Sequence, residues 1–240
     1  MKPAGRLSGR AVRPAAVGLA VLLLLAGCSG PVPEGTESAS VTAAATTTAA
    51  SAGLPAAAGF SAAAGIPEEG LVLDVPLLRQ SDPRWSEVPL GTTGAVIGSE
   101  GCALTSFAMV ASCLGTPTTP AQALERLAEY AYPVEWMAGE SRYGLHVLRK
   151  DSVRFRDSRL HDADYVRDTI EDCLAAGYPV IIGILQISTG TPHFIVAYGL
   201  ERAGDGFRIL VRDPSLNSDY ERFEDIPAGW MVTRLVVYQS

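Results

Sequence analysis

Cys102, His193 and Asp213 are the residues of this chain whose types and order suit covalent chemistry at a carbonyl. A thiolate attacks, an imidazole carries the proton, and a carboxylate fixes the orientation and tautomer of the imidazole. Cys102 follows Gly101, where a Gly-rich loop from Gly91 to Gly101 enters an apolar segment that runs to Leu114 and stops at Gly115. Length, Ala and Met content and the terminal Gly predict a buried helix starting at Cys102. A thiol in the first turn of a helix faces unpaired backbone N–H groups, which favour a thiolate and can donate to a developing oxyanion. Taken alone, Cys102 also reads as a small apolar residue at a helix start.

His193 opens the apolar run His193-Phe-Ile-Val-Ala-Tyr-Gly199, and Asp213 closes the run Phe207-Arg-Ile-Leu-Val-Arg-Asp213. Between them Ala203-Gly204-Asp205-Gly206 reads as a hairpin turn. A hairpin centred on Ala203 puts His193 directly opposite Asp213, with Cβ atoms about 5 Å apart, within reach of an imidazole–carboxylate hydrogen bond. A slip of one residue would send the two side chains to opposite faces. Each also has a plainer reading, His193 as a structural histidine at a strand start and Asp213 as a turn residue before Pro214. His146, in Leu145-His-Val-Leu-Arg-Lys150, and His161, just ahead of a helix cap, are weaker candidates for the base.

These residues need a scaffold, and the punctuation of the chain outlines one. Leu71-Val-Leu-Asp-Val-Pro76 reads as an edge strand, followed by a long polar loop. Thr119-Pro120-Ala121-Gln122 has the form of a capping box with Pro at the first helical position, so a second helix starts at Pro120. Val166, Ile170, Cys173 and Leu174 recur at helical spacing between Asp164 and Ala176, with Gly177 as the stop, giving a third. Beyond Gly177 the period changes: Tyr178 to Ile187, His193 to Gly199, Phe207 to Val211 and Met231 to Tyr238 predict antiparallel strands. Helices in front and strands behind predict an α+β fold, with the N-terminal helices packed on one face of a C-terminal antiparallel sheet. Cys113 and Cys173 fall near helix ends, and the sequence leaves open a disulfide between them or two buried thiols.

Four blocks together, Gln80-Ser-Asp-Pro-Arg-Trp85, Ser99-Glu-Gly-Cys-Ala-Leu-Thr-Ser-Phe-Ala-Met109, Pro192-His-Phe-Ile-Val-Ala-Tyr198 and Arg212-Asp-Pro-Ser215, resemble the peptidase C39-like family of papain-like cysteine peptidases. The resemblance covers nearly all of the chain from Leu73 onward. It implies a papain-like fold in which the Cys-bearing helix crosses a sheet that presents His and Asp. It implies Cys102 as nucleophile, His193 as general acid/base, Asp213 as its orienting group and Gln80 as side-chain donor to the oxyanion hole. Gln80 has no distinction of its own as a Gln in a polar loop, and only the resemblance promotes it. Asp82 and Trp85 of the same block read as loop and packing residues.

Residues 1–27 carry Lys2, Arg6, Arg10 and Arg13, no acidic residue, and an apolar run from Ala15 to Gly27. That is a targeting segment, shorter than the roughly 20 residues a spanning helix needs. Its end, Leu25-Ala-Gly-Cys28, resembles the lipobox of bacterial lipoproteins, which implies that Cys28 is acylated; an ordinary secretory signal is the alternative. Residues 28–67 are almost wholly Ala, Thr, Ser, Gly and Pro, a disordered tether with an r.m.s. reach of about 35 Å. Residues 68–240 are one domain's worth of chain. Taking the four basic residues of the signal from 19 leaves 15 against 26 acidic residues, a net charge near −11. Such a charge repels phosphate backbones and anionic membranes, which excludes nucleic-acid binding and leaves the lipid as the membrane link. The expectation is a monomeric, lipid-anchored cell-envelope peptidase, acting on peptide or protein through a thioester with no cofactor and no zinc-type ligand spacing. A catalytically silent binding module, or an acyl transferase or amidase acting on cell-wall peptides, are the alternatives; the Gln80 block favours the peptidase over transglutaminase-like and acetyltransferase-like enzymes.

Overall fold

The first strand, β1 (Gly70–Val72), leads into a loop anchored by Trp85, whose side chain is 3% exposed and whose indole N–H donates to Arg79 O at 2.8 Å. Asp82 turns this loop by accepting from Arg84 N at 2.9 Å, and the Arg84 guanidinium stacks 4.5 Å over the Trp85 ring. Residues 66–92, 94–152, 158–215 and 221–240 are described by a computed structural model, and all of them fall within one compact unit, Leu54–Ser240. Residues 1–27, Cys28 and nearly all of the 28–67 segment lie outside the described residues.

A short helix α1 (Ile97–Glu100) occupies the end of what the sequence presents as a Gly-rich loop. Helix α2 (Cys102–Cys113) is apolar all round because it is enclosed all round, burying Leu104, Phe107, Met109 and Val110. Helix α3 (Pro120–Leu127) starts with the reciprocal cap read from the sequence: Thr119 Oγ1 accepts from Gln122 N at 3.3 Å and Gln122 Oε1 from Thr119 N at 2.9 Å. Helix α4 (Ala138–Tyr143) and strand β2 (His146–Ser152) have no counterpart in the sequence reading. In β2 a bulge between Val147 and Arg149 breaks the alternation, and charged residues mark it as a sheet edge. Helix α5 (Ala163–Ala175) is capped by Asp162 Oδ1, which accepts from Asp164 N at 3.0 Å and Tyr165 N at 3.3 Å.

Strands β3 (Val180–Gln186), β4 (Thr191–Ala203), β5 (Gly206–Arg212) and β6 (Trp230–Gln239) complete a six-stranded antiparallel sheet. Its order is β1-β4-β3-β6-β2, with β5 on the other edge of β4. The fold is α+β and consistent with a papain-like arrangement, with α2 crossing the sheet. One expectation is corrected: the helices do not share a face. α2 and α3 pack with Ile181, Val196, Val236 and Tyr238, whereas α5 packs with Ile182, Ile195, Leu235 and Val237 of the same strands. Two covered faces explain why these strands read as continuous apolar runs and not as alternation. Cys113 and Cys173 lie in these two separate clusters and are free thiols, so the disulfide left open by the sequence is not formed.

Candidate active site

Gly101 sits between α1 and α2 because nothing larger fits. A Cβ there would stand 2.5 Å from Ile97 O and 2.8 Å from Ile97 Cγ2, so the chain turns tightly and Cys102 becomes the first residue of α2. The first N–H groups of a helix have no partner within it, and no side chain caps this end. The Cys102 thiol is half-buried and lines a cleft of about 1090 Å³ together with Gln80, His193 and Asp213.

His193 and Asp213 are brought together, by a route that differs from the sequence reading. The hairpin is closed by the two-residue turn Gly204-Asp205, with Gly204 at φ +60°, so Ala203 pairs with Gly206 and the centre is not Ala203. Continued unbroken, that register would leave His193 and Asp213 on opposite faces. Between Ala197 and Gly199 the ladder slips by one residue, leaving Tyr198 as a β-bulge. Beyond the bulge Val196 pairs with Arg212, and the two side chains return to one face as diagonal neighbours, not directly opposed ones. The bulge is braced by Arg212, whose guanidinium lies 4.4 Å over the Tyr198 ring. His193 Nε2 then lies 2.8 Å from Asp213 Oδ1, with the two side chains 15% and 3% exposed.

That geometry sets the charge of the imidazole. Burial alone would push its pKa down, but hydrogen bonds to Asp213 and Cys102, and the charges of both, raise it to about 9. His193 is therefore protonated at neutral pH. Nε2 is engaged by Asp213, which leaves Nδ1 for Cys102. The ring also meets the edge of Trp230, with centroids 6.3 Å apart.

Gln80 is buried, with its amide Nε2 donating to Gly98 O at 2.9 Å and its Oε1 without a partner. One N–H of that amide remains for a substrate oxygen. Glu100 and Tyr132 form part of the cleft wall beside Cys102, the Tyr132 hydroxyl donating to Glu100 Oε2. That hydrogen bond, burial, and the negative charges of Glu100 and Cys102 raise the pKa of Tyr132, so its phenol stays neutral. His146 and His161 are exposed and outside the cleft lining. No group of three or more His, Cys, Asp or Glu stands at metal-binding separation among the described residues. The sequence reading missed Arg79, Tyr198 and Trp230 as neighbours of this site; only the position of Arg79 next to Gln80 could have drawn attention.

Comparison with protein families gives one result that bears on this arrangement: the family described as Peptidase_C39 like family matches residues 72–234. No curated protein matches the chain, and no solved structure does.

Proposed function

The chain belongs to the peptidase C39-like family, and on that premise we propose that it is a cell-envelope cysteine peptidase hydrolysing peptide bonds through Cys102, His193 and Asp213. The observation that carries this reading is the His193 Nε2–Asp213 Oδ1 contact of 2.8 Å in the same cleft as a thiol at a helix N-terminus. Cys102, as thiolate, attacks the scissile carbonyl carbon, and the oxyanion accepts from Gln80 Nε2–H and the backbone N–H of Cys102. His193, protonated at rest, donates its proton to the leaving amine as the C–N bond breaks. The neutral imidazole then takes a proton from water, whose oxygen attacks the thioester and releases the acid and the thiolate. Asp213 accepts from Nε2–H throughout and keeps Nδ1 turned toward sulfur.

In the same proposal residues 1–27 direct export, Cys28 carries the lipid, and the 28–67 segment holds the domain off the membrane as a monomer. The test of the enzymatic reading is labelling of the folded protein by a peptide-based, thiol-directed active-site probe. The expected result is labelling that vanishes in Cys102→Ala. A folded wild-type protein that is neither labelled nor able to cleave any member of a peptide library is a binding module, and the proposal fails.

A further inference from the structure

Three consecutive backbone carbonyls beside the cleft point at one dipeptide. Arg79 Nη1 donates to Asp213 O at 2.8 Å and also to Ser215 O, and Gln80 N donates to Pro214 O at 2.9 Å. Arg79 is itself anchored, since its own carbonyl accepts from the buried Trp85 indole at 2.8 Å and from Asp82 N at 3.2 Å. Within the loop, Ser215 N donates to Asp213 Oδ1 at 2.6 Å, the same oxygen that receives His193 Nε2. A line of contacts therefore runs from Trp85 through Arg79 to Ser215, from Ser215 to the Asp213 carboxylate, and on to the imidazole.

We propose that Arg79 is a positioning residue, which clamps the Asp213–Ser215 loop so that the Asp213 carboxylate is held on His193 while the neighbouring Gln80 faces the oxyanion. The inference rests on the assignment of His193 and Asp213 above. An arginine suits the task because its guanidinium is permanently charged and presents several donors in a rigid plane, so one group can hold two carbonyls at fixed separation. An ammonium at this position keeps the charge on a flexible stem and holds the pair less rigidly. Since Gln80 is covalently next to Arg79, one segment sets the two ends of the reaction: the oxyanion donor and the orientation of the base.

The readout is the imidazole titration of His193 followed by NMR in the full chain, which has three histidines and so three resolvable titrations. The charged groups at His193 are Asp213, from the end of β5, and Cys102, from α2; Glu100, Asp225 and Arg234 line the same cleft, and all five stay unchanged in the Arg79 variants. In Arg79→Met the His193 midpoint is expected to fall below about 9 by roughly one unit, a tenfold weakening of the proton's hold. Arg79→Lys should recover part of the shift. In an Asp213→Asn background, Arg79→Met should add no further shift, because the carboxylate it acts through is gone. A folded Arg79→Met protein whose His193 midpoint is unchanged, or one whose shift persists in full beside Asp213→Asn, overturns the proposal. If Arg79→Met does not fold, Arg79→Lys decides: an intermediate midpoint supports the clamp, and an unchanged one reduces Arg79 to a stabilising contact. None of these readings needs turnover, so failure here is separable from failure of the peptidase reading, which the Cys102 probe reports.

Discussion

With its pKa raised to about 9, His193 holds its proton through the neutral range, and pH should act on the reaction through that proton. Hydrolysis is expected to fall as pH rises through about 9, when the leaving amine loses its acid; a rate flat to pH 10 would contradict this. Asp213→Ala removes the group that raises and orients the imidazole, so the falling limb should move to lower pH. The same change should lower kcat on the order of 10²-fold or more with KM little changed, whereas Cys102→Ala removes covalent catalysis altogether. Among the free thiols, burial raises the pKa of Cys113 and pushes Cys173 up to about 11, while Cys102 opens a helix beside a protonated imidazole. Iodoacetamide at neutral pH should therefore modify Cys102 first, and equal rates at all three in the native protein would count against an activated thiol. Of the candidate residues, Cys102 and His193 were legible because the chain has only 4 Cys and 3 His, and Asp213 because the hairpin singles it out from many other aspartates. Gln80 was legible only through family resemblance, and Arg79 was not legible, because its partners are backbone carbonyls up to 136 residues away, which leave no mark on side-chain identity.

Elements, and not residue types, decide whether those side chains meet. The sequence predicts the hairpin and both its arms, yet the centre it suggests is displaced from the real turn and it carries no sign of the bulge at Tyr198. Two displacements, one in the turn and one in the ladder, bring His193 and Asp213 back to a common face. Pairing inferred from a hairpin can thus be right in outcome while its register is wrong, since only the parity survives. The edge strand β2 was missed for a related reason: its bulge and its charges erase the alternation by which strands are recognised. That α5 covers the far side of the sheet accords with the unbroken apolar runs of β3 and β4, which need apolar cover on both faces. The junction of α1 and α2 offers the clearest test at this scale. Gly101→Ala drives a Cβ into Ile97 O, so it should lower the urea midpoint by the equivalent of about 1–3 kcal/mol and displace Cys102 enough to depress kcat. Full activity and unchanged stability in that variant would show that the junction relaxes freely.

At the scale of the whole molecule the same imidazole couples the site to stability. A histidine raised from 6.5 to about 9 contributes stability that is fully present below pH 6.5 and is lost as pH rises through about 9. The thermal midpoint should therefore decline between those values, and the decline should shrink in Asp213→Asn, where the raising hydrogen bond is weakened. A midpoint that rises over that interval would reverse the sign of the coupling. The two apolar layers on either face of the sheet supply the larger share of the stability, and Phe107, fully buried and edge-on to Tyr143 and Tyr238, lies within the layer that α2 and α3 form. Phe107→Ala should cost about 3–5 kcal/mol. For the proposed anchor, mass spectrometry of the mature N-terminus should find diacylglycerol on Cys28, and an unmodified terminus at Ser29 or beyond would remove the lipid from the proposal.

Strand β6 lies between β3 and β2, so the interior of the sheet is filled by the strand that comes last in chain order. Seen in time, a ribosome has already made Cys102 and its helix when neither the imidazole nor the carboxylate exists, and the clamp on Asp213 must wait for a partner 134 residues further on. Contacts this distant along the chain close late and slowly. A nascent or truncated chain that stops short of His193 and Asp213 therefore carries its thiol alone, and under the proposed function it is inert toward its unfolded neighbours until those two residues follow.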